Sequence, residues 1–150
     1  MTFKQKFTWV SLIAAVAVAC TYCAVVGAKL STVPVARIAY QLPMGIAIGV
    51  FIVLTIVGTI LMGIGTGIAM EITGEGDTKD IGLDDERDDD IDQRGRNTSA
   101  WVAAVGSGIA LVLAMVRADQ FWIANAIYLA FVASTIAAAA HKLVIYRRGF

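Results

Sequence analysis

This chain is poor in the residues that chemistry uses. Its 150 residues hold one histidine, two cysteines and two prolines. A lone histidine leaves a metal or haem site without the further ligands it needs. Two cysteines are too few for a closed zinc site unless histidine or carboxylate stands nearby. Charge is also scarce, at 16% of residues against about 25% in a soluble domain. It is missing altogether from Thr8–Ala28, Met44–Met70, Ala100–Val116 and Phe121–Ala140. No carboxylate inside these runs relays protons or pairs with a translocated cation, which argues against a coupled pump.

What is abundant is apolar sequence. The hydrophobic share is 58% and the mean hydropathy +0.74. About 20 apolar residues of helix cross a hydrocarbon layer about 30 Å thick. The runs are continuous rather than alternating, which indicates helices and not barrel strands. The expected fold is all-α, one domain over residues 1–150. It is an integral membrane bundle of four transmembrane helices, with spans near 8–28, 44–70, 98–116 and 121–140. A short cytoplasmic acidic helix or loop over 71–99 separates the middle two.

Charge is split along the chain. Residues 71–99 hold eleven of the twelve acids against Lys79, Arg87, Arg94 and Arg96, a net of about −7 balanced by the rest of the chain. A basic partner suits such a segment, and nucleic acid does not. With four spans, both termini and this segment share one side, which carries nine Lys or Arg against Lys29, Arg37 and Arg117 on the other. The positive-inside rule then predicts cytoplasmic termini, with membrane lipid as the first partner. Trp9 and Trp101 are expected at the inner interface, Tyr40 and Trp122 at the outer. Lys142, Arg147 and Arg148 are expected to snorkel toward anionic headgroups. The first run reads as a retained helix and not a cleaved signal, because it continues past Cys20 to Ala28.

The second run carries Gly45-x3-Gly49 and Gly63-x3-Gly67, spacings that let another helix backbone approach closely. These four glycines are the helix–helix interface candidates. They serve packing within the chain, self-association or docking to other membrane subunits. Alternatively Gly63–Gly67 breaks the helix beside a solute path, with Thr55, Thr59 and Thr66 along it. Cys20 and Cys23 read as small packing residues buried in the first span. Asn125 is expected to bond a neighbouring helix, and His141 to anchor at the interface. No catalytic, metal or cofactor site is expected.

Within the acidic segment, Leu83–Arg94 suits a short helix with Asp90→Arg94 and Asp92→Arg96 pairs. Asp84, Asp88 and Asp92 stack on one face, where a cation or a partner's Lys and Arg would relieve their repulsion. Asp88-x-Asp90-x-Asp92 lacks the glycine and closing glutamate of a calcium loop. Thr98 or Ser99 is expected to cap the third span.

Asp85-Glu86-Arg87-Asp88, followed by Ile91 and Arg94-Gly95 just before a span, resembles the D-E-R-D-x-x-I-x-x-R-G element of small bacterial inner-membrane proteins of unknown function. The resemblance implies a bacterial inner (plasma) membrane protein with a shared use for this segment, and marks Asp85, Glu86, Arg87, Asp88, Ile91 and Arg94 as partner-binding candidates. The Cys20-x-x-Cys23 pair resembles that of the quinone-linked thiol oxidoreductases, but it lies inside the apolar run and has no second pair. The leading expectation is a non-enzymatic scaffold or accessory subunit, a homo-oligomer or part of a larger membrane complex. The alternatives are an oligomeric channel or facilitator and a thiol-quinone oxidoreductase.

Overall fold

The computed structural model describes residues 3–73 and 86–148. Four long α-helices account for most of them: α1 (Phe3–Leu30), α2 (Gln41–Thr73), α3 (Glu86–Met115) and α4 (Gln120–Arg148), with a 3-10 turn at Val35–Arg37. Each contains a segment long and apolar enough to cross a membrane: Gln5–Leu30, Gln41–Gly65, Asp88–Met115 and Gln120–Arg148. The expected all-helical, four-span fold is therefore what the structure has. A helix suits such runs because all its central backbone groups are bonded within the segment.

The helices run further than their apolar runs. α2 begins three residues before Met44 and takes Pro43 into its first turn, where the missing N–H has no partner to lose. Tyr40 O accepts from Met44 N at 2.9 Å and opens the helix. α2 also continues unbroken through Gly63–Gly67, which overturns the broken-helix reading. The largest difference lies in α3. The acidic residues from Glu86 onward and the apolar run form one 30-residue helix, not a short helix followed by a span. Thr98 is consequently interior rather than a cap, its Oγ1 standing 3.1 Å from Arg94 O one turn back. Leu83–Asp85 lie outside the described residues.

Between α3 and α4 the chain reverses in a few residues. Ala118 N donates to Leu113 O and Arg117 N to Ala114 O, at 3.0 and 3.1 Å. That is the paired closure of a helix C-terminus, with the left-handed residue ordinarily glycine. Here it is Arg117, at φ 56. The turn makes α3 and α4 antiparallel neighbours, as the short connection predicts.

Packing proceeds in series: α1 lies against α2 and α4, and α4 against α1 and α3. Among the described residues α2 and α3 share no comparable contact. The spatial order is α2–α1–α4–α3, an open row in which α1 and α4 are the inner members. Close approaches fall at small residues. A Cβ at Gly58 of α2 would stand 2.6 Å from Val10 Cγ1 of α1, and one at Gly106 of α3 would run into Ala130 of α4. The buried apolar cluster sits toward the turn-bearing end, around Val18, Tyr22, Val26, Ile38, Tyr40, Phe121 and Tyr128.

Candidate interaction site

At the end carrying both termini, α3 and α4 outrun the membrane. Twenty residues of helix fill about 30 Å of hydrocarbon. Counted from Met115 and Gln120, the layer runs out near Arg96 and Ala140. Beyond it the two helices continue side by side as a polar stem. Asp88, Ile91, Asp92, Gly95 and Thr98 recur at helical spacing and form the α3 face of this stem.

Four of the five meet a group on α4, and Ile91 is buried among them. Tyr146 Oη donates to Asp88 Oδ1 at 3.1 Å. Lys142 Nζ lies 2.7 Å from Asp92 Oδ1, both side chains about three-quarters buried. Ile91 is fully buried, at 0% exposure. The Lys142 stem crosses α3 over Gly95, where any Cβ would displace it. Thr98 Oγ1 and His141 Nδ1 stand 2.6 Å apart. With one hydroxyl proton, Thr98 donates either to Arg94 O or to His141, and the imidazole takes the complementary role.

These contacts revise several expectations. The repulsion between Asp88 and Asp92 is relieved by Tyr146 and Lys142 of the same chain. Lys142 is thereby withdrawn from snorkelling, whereas Arg147 and Arg148 stay exposed. Among the partner-binding candidates, Asp88 and Ile91 are turned to α4, while Arg94 is on the outer face, its Nε donating to Asp90 Oδ2 at 2.8 Å as the i,i+4 spacing predicts. Arg96 donates to Gln93 Oε1 at 2.8 Å through Nη2. Glu86 and Arg87 belong to the first turn of α3, and Asp85 lies outside the described residues.

Of the glycine candidates, Gly45, Gly49 and Gly63 all face open space, so packing among the described residues does not use them. Gly67 is helical within α2, and nothing of its surroundings is described. The glycines that the chain does use, Gly58, Gly95 and Gly106, lie outside the small-xxx-small pairs. Thr55 and Thr59 are half-buried and bond back to Phe51 O and Thr55 O at 2.8 and 2.6 Å; Thr66 falls where side chains are not described.

A second polar cluster lies in the turn-bearing half. Tyr22 Oη of α1 donates to Asn125 Oδ1 of α4 at 2.7 Å, and Asn125 Nδ2 donates to Phe121 O at 2.8 Å. Asn125 thus bonds a neighbouring helix, as anticipated. Tyr128 stacks obliquely on Tyr22 with centroids 4.5 Å apart. Tyr40 is buried edge-on against Phe121 at 5.4 Å, so it belongs to the core and not to a lipid-facing belt. Trp101 and Trp122 do face outward. Cys20 and Cys23 are free and exposed on the outer face of α1, not buried as expected, because the inward stripe is taken by Ala15, Val18, Tyr22 and Val26. No group of His, Cys, Asp and Glu among the described residues is placed to hold a metal.

Comparison with family models, curated proteins and solved structures finds no match.

Proposed function

We propose that this chain is a non-enzymatic scaffold or accessory subunit of a bacterial inner membrane, with both termini and the acidic segment in the cytoplasm. It works by self-association or by docking to a larger membrane complex. The observation that carries this reading is the outer face of α2. Gly45, Gly49 and Gly63 are open along ~27 Å of helix, on the end member of the row, which among the described residues packs chiefly against α1. In lipid, apolar surface by itself gives no drive for association, and close backbone approach over small residues does. The topology rests on the Lys and Arg count. The partner-facing part of the D-E-R-D element is then its outer face with Arg94, because Asp88 and Ile91 are taken by α4.

The test is native mass spectrometry of the protein purified gently from its membrane, for the parent and for Gly45→Leu/Gly49→Leu and Gly63→Leu. These sites are open, so the variants keep the four-helix fold. Loss of an oligomer or of a co-purifying subunit supports the reading. A parent that runs as a bare monomer under these conditions removes it.

A further inference from the structure

The contacts between helices fix where each one leaves the hydrocarbon on the side of the termini. Val10 of α1 stands against Gly58 of α2. Tyr22 of α1 meets Asn125 and Tyr128 of α4, which in antiparallel register sets Val10 level with the stretch just before His141. Thr98 of α3 meets His141 itself. Gly58, Val10, Ala140 and Thr98 therefore stand at nearly one depth.

Past that depth three helices turn charged together: α1 at Lys6, α3 at Arg96 and α4 at Lys142, each within ~6 Å of helix rise. The remaining helix does not. The next charged residue of α2 is Glu71, ~19.5 Å beyond Gly58. Its uncharged run Met44–Met70 is ~40 Å long, against about 30 Å of hydrocarbon.

Such a surplus is met by tilt, by a kink, by a locally thicker bilayer or by emergence into water. Tilt of α2 by itself would peel it from α1, to which it is held at two levels, by Val10 on Gly58 and by Val18 and Ala47 in one buried cluster. No break relieves the length either, since α2 is one helix from Gln41 to Thr73. Emergence suits this stretch poorly. Glycine gives up the most backbone freedom in a helix and holds it weakly in water, and Gly63, Gly65 and Gly67 come at alternate positions. Gly63 and Gly65 have nothing within 4 Å to prop them. Hydrocarbon keeps the same stretch helical, because it offers the backbone no competing water.

We propose that residues 63–70 of α2 are a lipid-contacting extension that responds to bilayer thickness. It lies in acyl chains where the layer is thicker than the other three helices need, and emerges where the layer is thin. The occupant is the hydrocarbon of the surrounding lipid. Docking at Gly45 and Gly49 concerns the other half of α2, and a protein lying over the extension would give protection that ignores thickness.

The test uses the full chain with Cys20→Ala and Cys23→Ala, carrying one new cysteine at a time. Ile68→Cys and Ile64→Cys report on α2, and Gln93→Cys on the exposed face of α3. Each is reconstituted in dimyristoleoyl, dioleoyl or dierucoyl phosphatidylcholine vesicles and treated with a membrane-impermeant maleimide, which reacts only with a thiol that water reaches. Ile68 lies ~15 Å past Gly58 and Gln93 ~7.5 Å past Thr98, so the α2 reporter stands further from the membrane centre. Labelling of Ile68→Cys relative to Gln93→Cys is nevertheless expected to fall roughly tenfold from the shortest to the longest chains. Ile64→Cys, nearer the centre, should become protected in a thinner bilayer than Ile68→Cys does. Equal labelling of Ile68→Cys and Gln93→Cys in every bilayer overturns the proposal, because the extension then stands in water. Protection of Ile68→Cys in every bilayer, the thinnest included, overturns it as well, because protein then covers the extension.

Discussion

Ile91 offers the sharpest test of the α3–α4 stem. It is the fully buried large side chain of the described residues, and it sits outside the hydrocarbon, where burial is against α4 and not against lipid. Ile→Ala in a core costs about 2–5 kcal/mol, the low end where neighbours collapse into the space. A two-helix stem collapses readily, so ~2 kcal/mol is the fitting figure. The stretch 86–97 is polar and ends α3, where a helix frays unless something holds it, so its amides report on docking to α4. A loss of ~2 kcal/mol in local opening is roughly a 30-fold fall in protection. Hydrogen exchange on Ile91→Ala should therefore show about that fall across 90–97, with 100–115 unchanged. Asn97→Ala, on the exposed outer face, should leave protection within about twofold. Unchanged protection in Ile91→Ala refutes the stem, because the acidic turns would then be helical without α4. A uniform fall along all of α3 also refutes it, because stem and span would then open together.

Three further outcomes follow from the same contacts. Arg117→Gly relieves a left-handed residue that costs about 1–2 kcal/mol outside glycine, so its thermal midpoint in detergent should rise; a fall would mean the Arg117 side chain makes a contact that matters more than its backbone. Tyr22→Phe leaves Asn125 Oδ1 without its donor and should destabilise by about 1–2 kcal/mol, and in a double-mutant cycle with Asn125→Leu the two losses should fall well short of additive. Cys20 and Cys23 face outward on α1 inside the span Gln5–Leu30, against lipid rather than water, and thiols react as solvated thiolates, so a thiol reagent should label them only once the protein is denatured; ready labelling in the native membrane would show that water reaches the pair.

How much of this was legible in the sequence depends on what each signal measures. Uncharged runs of 17 to 27 residues measure transfer into lipid, and they placed four helices correctly. The turn at Arg117–Gln120 is too short for anything but antiparallel neighbours, and α3 and α4 are that. Helix ends were less legible, because hydropathy marks where lipid stops and not where the helix stops. Glu86–Asn97 is polar, yet it stays helical because Tyr146, Lys142 and His141 lie beside it. Those partners stand 43 to 58 residues away in sequence, beyond any local pattern. Their signal was present only as charge complementarity: acids before the third span, bases after the fourth, meeting at one end of an antiparallel pair. Glycine spacing misled in a different way. It identifies a flat helix face but not what covers it, and Gly95, which no spacing rule marks, is the glycine that a neighbouring side chain crosses.

The open row itself has a physical origin. In lipid each helix contact needs something beyond apolar surface, and each contact here has it. α1 and α2 meet over Gly58, α1 and α4 through Tyr22 and Asn125, α3 and α4 over Gly106 and along the stem. A closed bundle would require a fourth contact, between α2 and α3. The connection from Thr73 to Glu86 is long enough not to force one, and α3 already spends Gly95 and Gly106 on α4. α2 retains Gly45, Gly49 and Gly63, small residues with no helix of this chain to meet. Three specified contacts thus account for the row and leave one glycine face of α2 uncovered among the described residues, so the outer side of α2 is where the search for a second protein should begin.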